Sequence, residues 1–562
     1  MGGMTEHLSR RRDASAPVWL LAGALVVALV AGPLAALAAS SLSGPGGITL
    51  AHYRAAFAPA IHRGPLVNSF VLAASVGLLS VALGLPIAWA LARSAMPLRG
   101  LVRGLVVASF VTPSFLGAMA WIILAGPNAG LLNMAFRALT GAASPLVNIF
   151  SMGGLIFVVT LSTVPLVVIM AVGALQAVAP DMEEAASIAG AGPLAVARTV
   201  TLPLIAPAIL GGFLLAVLEA LVLFGAPAMI AIPARFHVMT TQLWTFFQYP
   251  PKIEVAAAYA LPLLAVAAGL LWLQRQILGR RGYATATGRE GQARPVGRGR
   301  WEWAVLALSL AYLACAVVLP YGTLLMAAIS KAWGRAFTPA NWTLANFHFV
   351  LFEYDPTRSA IVNTLQLSAV TATAGALLTA AVAYAAGRRL VWGANILAAL
   401  ASVPLAIPGI VLAVGLFIVY TRPPLVLYGT VWILFVAYLT RYLPVAYTAN
   451  RAAVFGVHES LEDAARSLGG TRWAAFRDVA FPLMRPGLAS AWLLVFLPAL
   501  RELSSAILLF TADSRVLSVV IYELYEEGRW EAVSTLGVIL LALTLGILAA
   551  THRLLGRRLG LA

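Results

Sequence analysis

Long apolar stretches recur along the chain near residues 17 to 40, 66 to 92, 101 to 125, 150 to 178, 204 to 230 and 255 to 278. They recur again near 302 to 329, 360 to 386, 394 to 420, 426 to 448, 484 to 511 and 531 to 552. Each approaches or exceeds the roughly 20 residues that a helix needs to cross a bilayer. The pattern predicts an all-α membrane protein of twelve spans. The first stretch follows Arg10, Arg11 and Arg12 and precedes Ser41 to Pro45, an arrangement that mimics a signal peptide. Its length predicts a retained anchor instead.

Composition agrees with this pattern. Of 562 residues, 61% are hydrophobic and 10% charged, with mean hydropathy +0.91, against about 25% charged in soluble domains. A water-soluble enzyme is excluded. The net charge of +16 lies in short basic runs between apolar stretches, where it orients spans rather than binding nucleic acid. With the amino terminus placed in the cytoplasm, the cytoplasmic side carries 25 basic residues, among them Arg93, Arg198, Arg388, the Arg441 to Arg485 stretch and Arg553, and the opposite side carries 11. The positive-inside rule then predicts that both termini are cytoplasmic. The single cysteine, Cys315, provides no disulfide framework and no thiolate cluster.

The chain repeats itself. Asn68-Ser69 matches Asn363-Thr364, Arg93 matches Arg388 and Pro113 matches Pro408, each pair 295 residues apart. Pro165 and Pro444, Gly190 and Gly469, Pro203 and Pro482, and Pro207 and Pro486 are each 279 apart. A longer external loop at about 126 to 149 than at 421 to 425 accounts for the change of offset. Two six-span domains, 1–278 and 301–562, are expected to lie in the same orientation, joined by a Gly- and Arg-rich cytoplasmic linker at 279–300.

Between the fourth and fifth spans of each half lies a segment too polar to cross lipid, starting at Pro180 and at Glu459. Asp181 with Glu184, and Ser460 with Asp463, have the spacing of capping boxes. Gly190 and Gly469 stand where a positive φ ends a helix. Short exposed helices are predicted at about 182 to 189 and 461 to 468, with Ala185-Ala186 and Ala464-Ala465 allowing close approach of a partner. Glu184-Ala185-Ala186, Gly190, Val200 and Leu202-Pro203 resemble the EAA loop of importer permeases of the ATP-binding-cassette family. Asp463-Ala464-Ala465, Gly469, Val479 and Phe481-Pro482 resemble it again, with Asp for Glu at 463, Val for Ile at 200 and 479, and Phe for Leu at 481.

The resemblance implies a type I (MetI-like) importer fold, with each helix seated on one of two cytoplasmic ATPase subunits and alternating access driven by their closure. The simpler reading is that Glu184 and Asp463 only cap a helix and that the glycines only turn the chain. Arg198, Arg466, Arg472 and Arg477 are expected as interfacial charges.

No phosphate loop accompanies the two lysines, Lys252 and Lys331, which follow Pro251 and Ser330. ATP is therefore expected to be used by a separate subunit, with no cofactor in this chain. The seven histidines have no zinc-site pairing, so no metal is assigned. Ionisable residues inside spans are costly and suggest a pathway. Glu219, Arg501 and Glu502 are the candidates; the last two, being adjacent, point about 100° apart and meet different partners. A structural ion pair is the competing reading. Pro113, Pro404 and Pro408 suit a gated path or a static kink.

Further stretches resemble ferric-iron permeases of the fused type: Phe224 to Ala228, Ile232 to Ala234, Tyr249 to Pro251, Arg281 to Thr285, and Arg501 to Ser504 with Leu508-Leu509. They are shared in part with permeases for thiamine, aminoethylphosphonate and polyamines. The resemblance implies a bacterial inner-membrane location, an extracytoplasmic binding protein that selects cargo, and ferric iron as the expected substrate. An ion-coupled secondary transporter would explain the span count but not two matching polar inserts.

Overall fold

The computed structural model describes residues 16–279, 300–335, 338–390 and 393–559. The expected linker, apart from its end residues, lies outside the described residues, as do Arg10 to Arg12 and Arg281 to Thr285. Ten helices are long and apolar enough to cross a membrane. The first half contributes Ala16–Leu42, Ala60–Arg93, Met152–Ala177, Pro193–Val222 and Ile253–Gly279 as spans one, two, four, five and six. The second contributes Trp301–Ala328, Asp355–Gly387, Val431–Phe455, Arg472–Ala499 and Trp530–Leu559 as spans seven, eight, ten, eleven and twelve.

Spans three and nine are each broken in two. Arg99–Val111 meets Ser114–Ala125 at 99°, and Ile396–Ala406 meets Gly409–Tyr420 at 113°. Proline has no N–H and disfavours the helical region for the residue before it; Thr112 and Ile407, just ahead of Pro113 and Pro408, are accordingly extended. Both broken pairs still carry the chain across. Arg93, at the end of span two, donates to Leu175 O (2.9 Å) and Val178 O (3.3 Å) at the end of span four. Spans two and four therefore end on the same face, and span three must return the chain to the other. Arg388 to Val457 O, 2.7 Å, gives the same result for spans eight and ten. The twelve crossings expected from hydropathy follow.

Two apolar runs extend further than their spans. The fifth span ends at Val222, not 230, and the eleventh at Ala499, not 511. The short helices that follow, Gly225–Ile230 and Ala506–Leu509, are wholly buried inside the protein. Their apolar sequence serves a protein core rather than lipid, a distinction that hydropathy does not make.

Spans two, four and five pack on one another as a triad, as do eight, ten and eleven. Small residues permit the close approach, since lipid supplies no hydrophobic drive between helices. A Cβ at Gly84 would stand 3.1 Å from Val167 Cβ, and one at Gly212 would stand 3.2 Å from Val167 Cα. Buried polar pairs cross the same surfaces: Ser80 Oγ lies 2.7 Å from Thr163 Oγ1, and Asn450 donates to Ala376 O (2.9 Å) and Thr379 Oγ1 (2.8 Å). The repeat also fixes the far end of the bundle. Ser69 accepts from Met239 N and Thr364 from Leu517 N, both at 2.8 Å.

The first span of each half crosses over. Span one packs against spans eight and nine of the second half as well as span six of its own. Span seven packs against spans two, three and four, with Tyr312 donating to Leu161 O of span four at 2.9 Å and Trp121 of span three to Cys315 O at 3.2 Å. Gly415 in span nine makes the first exchange possible, because a Cβ there would lie 2.8 Å from Pro33 O. Gly415→Val should destabilise the protein by about 1–3 kcal/mol through overpacking, read as a lower thermal midpoint in detergent. Gly173→Ala, where a Cβ meets nothing within 4 Å, should hold or raise it.

Candidate functional site

The face on which spans two and four end carries both polar inserts. The first forms the helix Pro180–Ile188 and the second Glu459–Ser467, each starting two residues earlier than its sequence suggests. The expected capping boxes do not form. Pro180 opens the first helix at a position where its missing N–H costs nothing. In the second, the His458 ring accepts from Ser460 N and takes the role expected of Ser460. Glu184 and Asp463 are exposed side chains, Asp463 pairing with Arg466 at 3.3 Å.

The ends of the two helices match the expected turn. Gly190 and Gly469 have φ of +89° and +92°. Ala191 N reaches Ala186 O and Gly190 N reaches Ser187 O, both at 3.0 Å; Gly470 to Ala465 O (3.1 Å) and Gly469 to Arg466 O (3.0 Å) repeat the pair. This is the Schellman closure, which requires a left-handed residue. Nothing lies within 4 Å of a Cβ at either glycine, so backbone conformation, not space, demands them. Ala185 and Ala464 are exposed, and Ala186 and Ala465 are half-buried. Pro203 and Pro482 follow π-helical turns at Ala197–Thr201 and Phe476–Ala480, wider turns that accommodate the missing N–H. Apolar side chains stand bare around both helices: Met182, Ile188 and Leu194 in the first half, and Leu461, Leu468 and Trp473 in the second, with Leu468 91% exposed.

Sequence reasoning missed what holds these helices down. One residue before each EAA-type acid, Glu183 and Glu462 turn inward. Glu183 pairs with Arg93 at 3.3 Å and accepts from Thr201 at 2.7 Å. Glu462 takes two bonds from Arg388, at 2.9 and 2.7 Å, and a third from the Tyr384 hydroxyl. Arg93 is 2% exposed. The available signal was a pair of opposite charges at the two repeat offsets, Arg93 with Arg388 and Glu183 with Glu462.

A second cluster lies between the halves. Arg501 donates to Phe110 O (3.1 Å) and to Val111 O. These carbonyls end the first piece of span three, where the break removes their helical donors, and a cation there also meets the negative end of the helix dipole. Glu502 pairs with Arg441 at 2.9 Å and accepts from Tyr442 (2.6 Å), Ser505 N (3.0 Å) and Ser505 Oγ (3.1 Å). Arg501 and Glu502 thus meet different partners, as their divergence predicts. Arg441, counted among the cytoplasmic basic residues, instead lies midway along span ten, packed where a Cβ at Gly409 would overlap its guanidinium. It lies inside the stretch 426 to 448 predicted as the tenth span, so it does not belong in the cytoplasmic count, and the ion pair with Glu502 is what makes its burial tolerable.

Glu219 stands in the electrostatic field of Arg441, Arg501 and Glu502. It is exposed, yet it lies half a helical turn round from Leu210, which lines an outward apolar groove with Trp272 and Leu273. Its free surface therefore faces the space between the halves. At the repeat offset, Arg441, Tyr442, Arg501 and Glu502 correspond to Ser162, Thr163, Val222 and Leu223, so the charges belong to one side of the pseudo-dyad. Among the described residues no three His, Cys, Asp or Glu side chains converge on a metal-sized site.

Removing one member of the buried pair leaves a charge uncompensated. Arg441→Met or Glu502→Leu alone should cost about 3–5 kcal/mol, and the double substitution should recover most of it. Denaturant unfolding of the purified protein checks this.

The sequence model of the family described as "Binding-protein-dependent transport system inner membrane component" matches residues 80–282 and 369–560. The chain is 25% identical over 488 residues to the ferric transport system permease protein FbpB of Actinobacillus pleuropneumoniae, covering 86% of this chain and 69% of that one. It is 26% identical over 461 residues to the putative ferric transport system permease protein FbpB 1 of Haemophilus influenzae, covering 81% and 71%. A putative 2-aminoethylphosphonate transport system permease protein, PhnV, of Salmonella paratyphi A is 25% identical over 242 residues, 43% of this chain and 90% of its own. Two matched regions, one in each repeat, and the two matching inserts lead to one conclusion: the chain belongs to the inner-membrane permease components of binding-protein-dependent ABC importers, with both transmembrane domains in one polypeptide and ATP hydrolysis left to a separate subunit.

Proposed function

We propose that this permease imports ferric iron, delivered by an extracytoplasmic binding protein and driven by two copies of a cytoplasmic ATPase. The observation that carries the coupling is the pair of exposed, Schellman-closed helices at one end of the bundle, each ringed by bare apolar side chains. Exposed apolar surface beyond the lipid-embedded length marks a docking site. Pro180–Ile188 and Glu459–Ser467 seat on the ATPases, which makes that face cytoplasmic and both termini cytoplasmic, in keeping with the basic runs. ATPase closure moves the helices, and the halves rock between inward and outward openings around Glu219, Arg441, Arg501 and Glu502.

Ferric iron rests on the relatives named as ferric transport permeases, matched over most of this chain. The aminoethylphosphonate relative matches only one half. Cargo choice is assigned to the binding protein; among the described residues no three His, Cys, Asp or Glu side chains converge on a metal-sized site. The path then conducts cargo past a mixed-charge lining.

Gly190→Val with Gly469→Val should abolish ATPase co-purification and reduce uptake at least about tenfold while the chain still inserts; each forces a β-branched residue into a left-handed turn. Glu184→Lys with Asp463→Lys should weaken ATPase binding more than Glu184→Gln with Asp463→Asn, because neither acid caps its helix. Uptake of radiolabelled iron into vesicles holding the complete system tests the cargo: ATP-dependent accumulation is expected, and uptake of 2-aminoethylphosphonate instead would replace iron.

A further inference from the structure

We infer that Arg93 and Arg388 are positioning residues for transport: each ties its triad to the coupling helix, so that three spans move as one body when the ATPase pulls. The inference rests on the coupling role of the two inserts. Connectivity makes the case. The helix Pro180–Ile188 is joined covalently to span four before it and span five after it. Span two, the third member of the triad, has no chain connection to it. Arg93 supplies the missing tie, reaching Glu183 on the coupling helix and the carbonyls of Leu175 and Val178 on span four. The second half repeats this with other side chains: Arg388 at the end of span eight reaches Glu462 and Val457 O at the end of span ten.

The groups are poorly placed for an incidental surface contact. Arg93 and Glu462 are buried, and the Arg388 side chain is 10% exposed. A buried charge pair gains little over an apolar pair of equal size, so stability alone gives weak grounds for having the same device twice. What it adds is geometry, since a guanidinium held by a carboxylate and carbonyls admits one arrangement of helix ends. The first and third spans of each half are tied differently: the first crosses to the other half, and the third is broken. Without the clamp, spans two and eight would follow the stroke only through their packing on the other two members of each triad, with no direct tie to the coupling helix.

The clamps are unequal. Arg388 makes two bonds to Glu462 and a further ion pair to Glu459 at 3.4 Å, and Tyr384 bonds the same carboxylate. Arg93 makes one ion pair to Glu183, and its Nε is without a partner. Loss of the second clamp should therefore be the more severe.

The test uses the complete transporter in lipid vesicles and reads cargo moved per ATP hydrolysed. Arg388→Gln should retain ATPase binding and hydrolysis but lower that ratio about tenfold, and Arg93→Gln less. The exchanged pair Arg388→Glu with Glu462→Arg should recover at least half of it. A second route avoids folding defects: in a Cys315→Ala background, Arg388→Cys with Glu462→Cys is joined by a short bifunctional thiol reagent. Transport per ATP should rise on cross-linking over the same protein left open. An unchanged ratio in Arg388→Gln, or a cross-linked protein no better than the open one, overturns the inference. Loss of ATPase binding in these variants would overturn it too, by making the arginines docking residues. Failure of the underlying coupling reading is seen separately, as normal ATPase recruitment in the Gly190/Gly469 variant.

Discussion

A lipid interior offers no hydrogen bonds, and this molecule breaks two of its twelve spans inside that medium. At each break an arginine packs against the interrupted backbone. At the Pro113 break the guanidinium of Arg501 covers the carbonyls of Phe110 and Val111. At the Pro408 break the bare α-carbon of Gly409 admits the Arg441 guanidinium, which Glu502 neutralises. Arg501 therefore bonds the kink of the first half, while its neighbour Glu502 reaches the second only through Arg441. The charges that would be costliest in isolation are those that stand against the irregular backbone.

The same economy governs the other end. Each polar insert must leave the membrane, turn and return, and it does so with an unobstructed glycine in left-handed conformation and a proline that follows a wide helical turn. Stability of the turn is local. Its attachment to the bundle is not, because it depends on a charge at the end of a helix 90 residues earlier in the first half and 74 in the second. The molecule thus combines short-range closure with long-range anchoring, in both halves and with different supporting side chains.

The span count, the tandem repeat, the glycine turns and the two inserts were legible in the sequence because each is a local pattern: a length, an offset or a residue with restricted φ. Three features were not. Arg441 falls among the cytoplasmic basic residues although it lies within the predicted tenth span, because a charge count does not see Glu502, 61 positions later, which cancels the cost of burying it. Glu183 and Glu462 stand beside the acids that carry the family resemblance, and one residue of rotation on a helix separates an exposed carboxylate from a clamped one. His458 replaces Ser460 as the cap because the second helix begins earlier than its hydroxyl suggests. In each case the deciding partner is remote or the deciding variable is helical phase, and periodicity in so short a helix does not fix phase.

The exchange of first spans bears on how such a chain can be made. Span one completes the second half against Gly415, and span seven completes the first against Leu161 and Trp121. Neither six-helix portion is a finished object when it leaves the ribosome: the amino-terminal portion waits with a vacant seat until residues far downstream emerge. Fusion in one polypeptide keeps the two at high effective concentration during that interval, so that interlocking competes well against the capture of a stranger's helix.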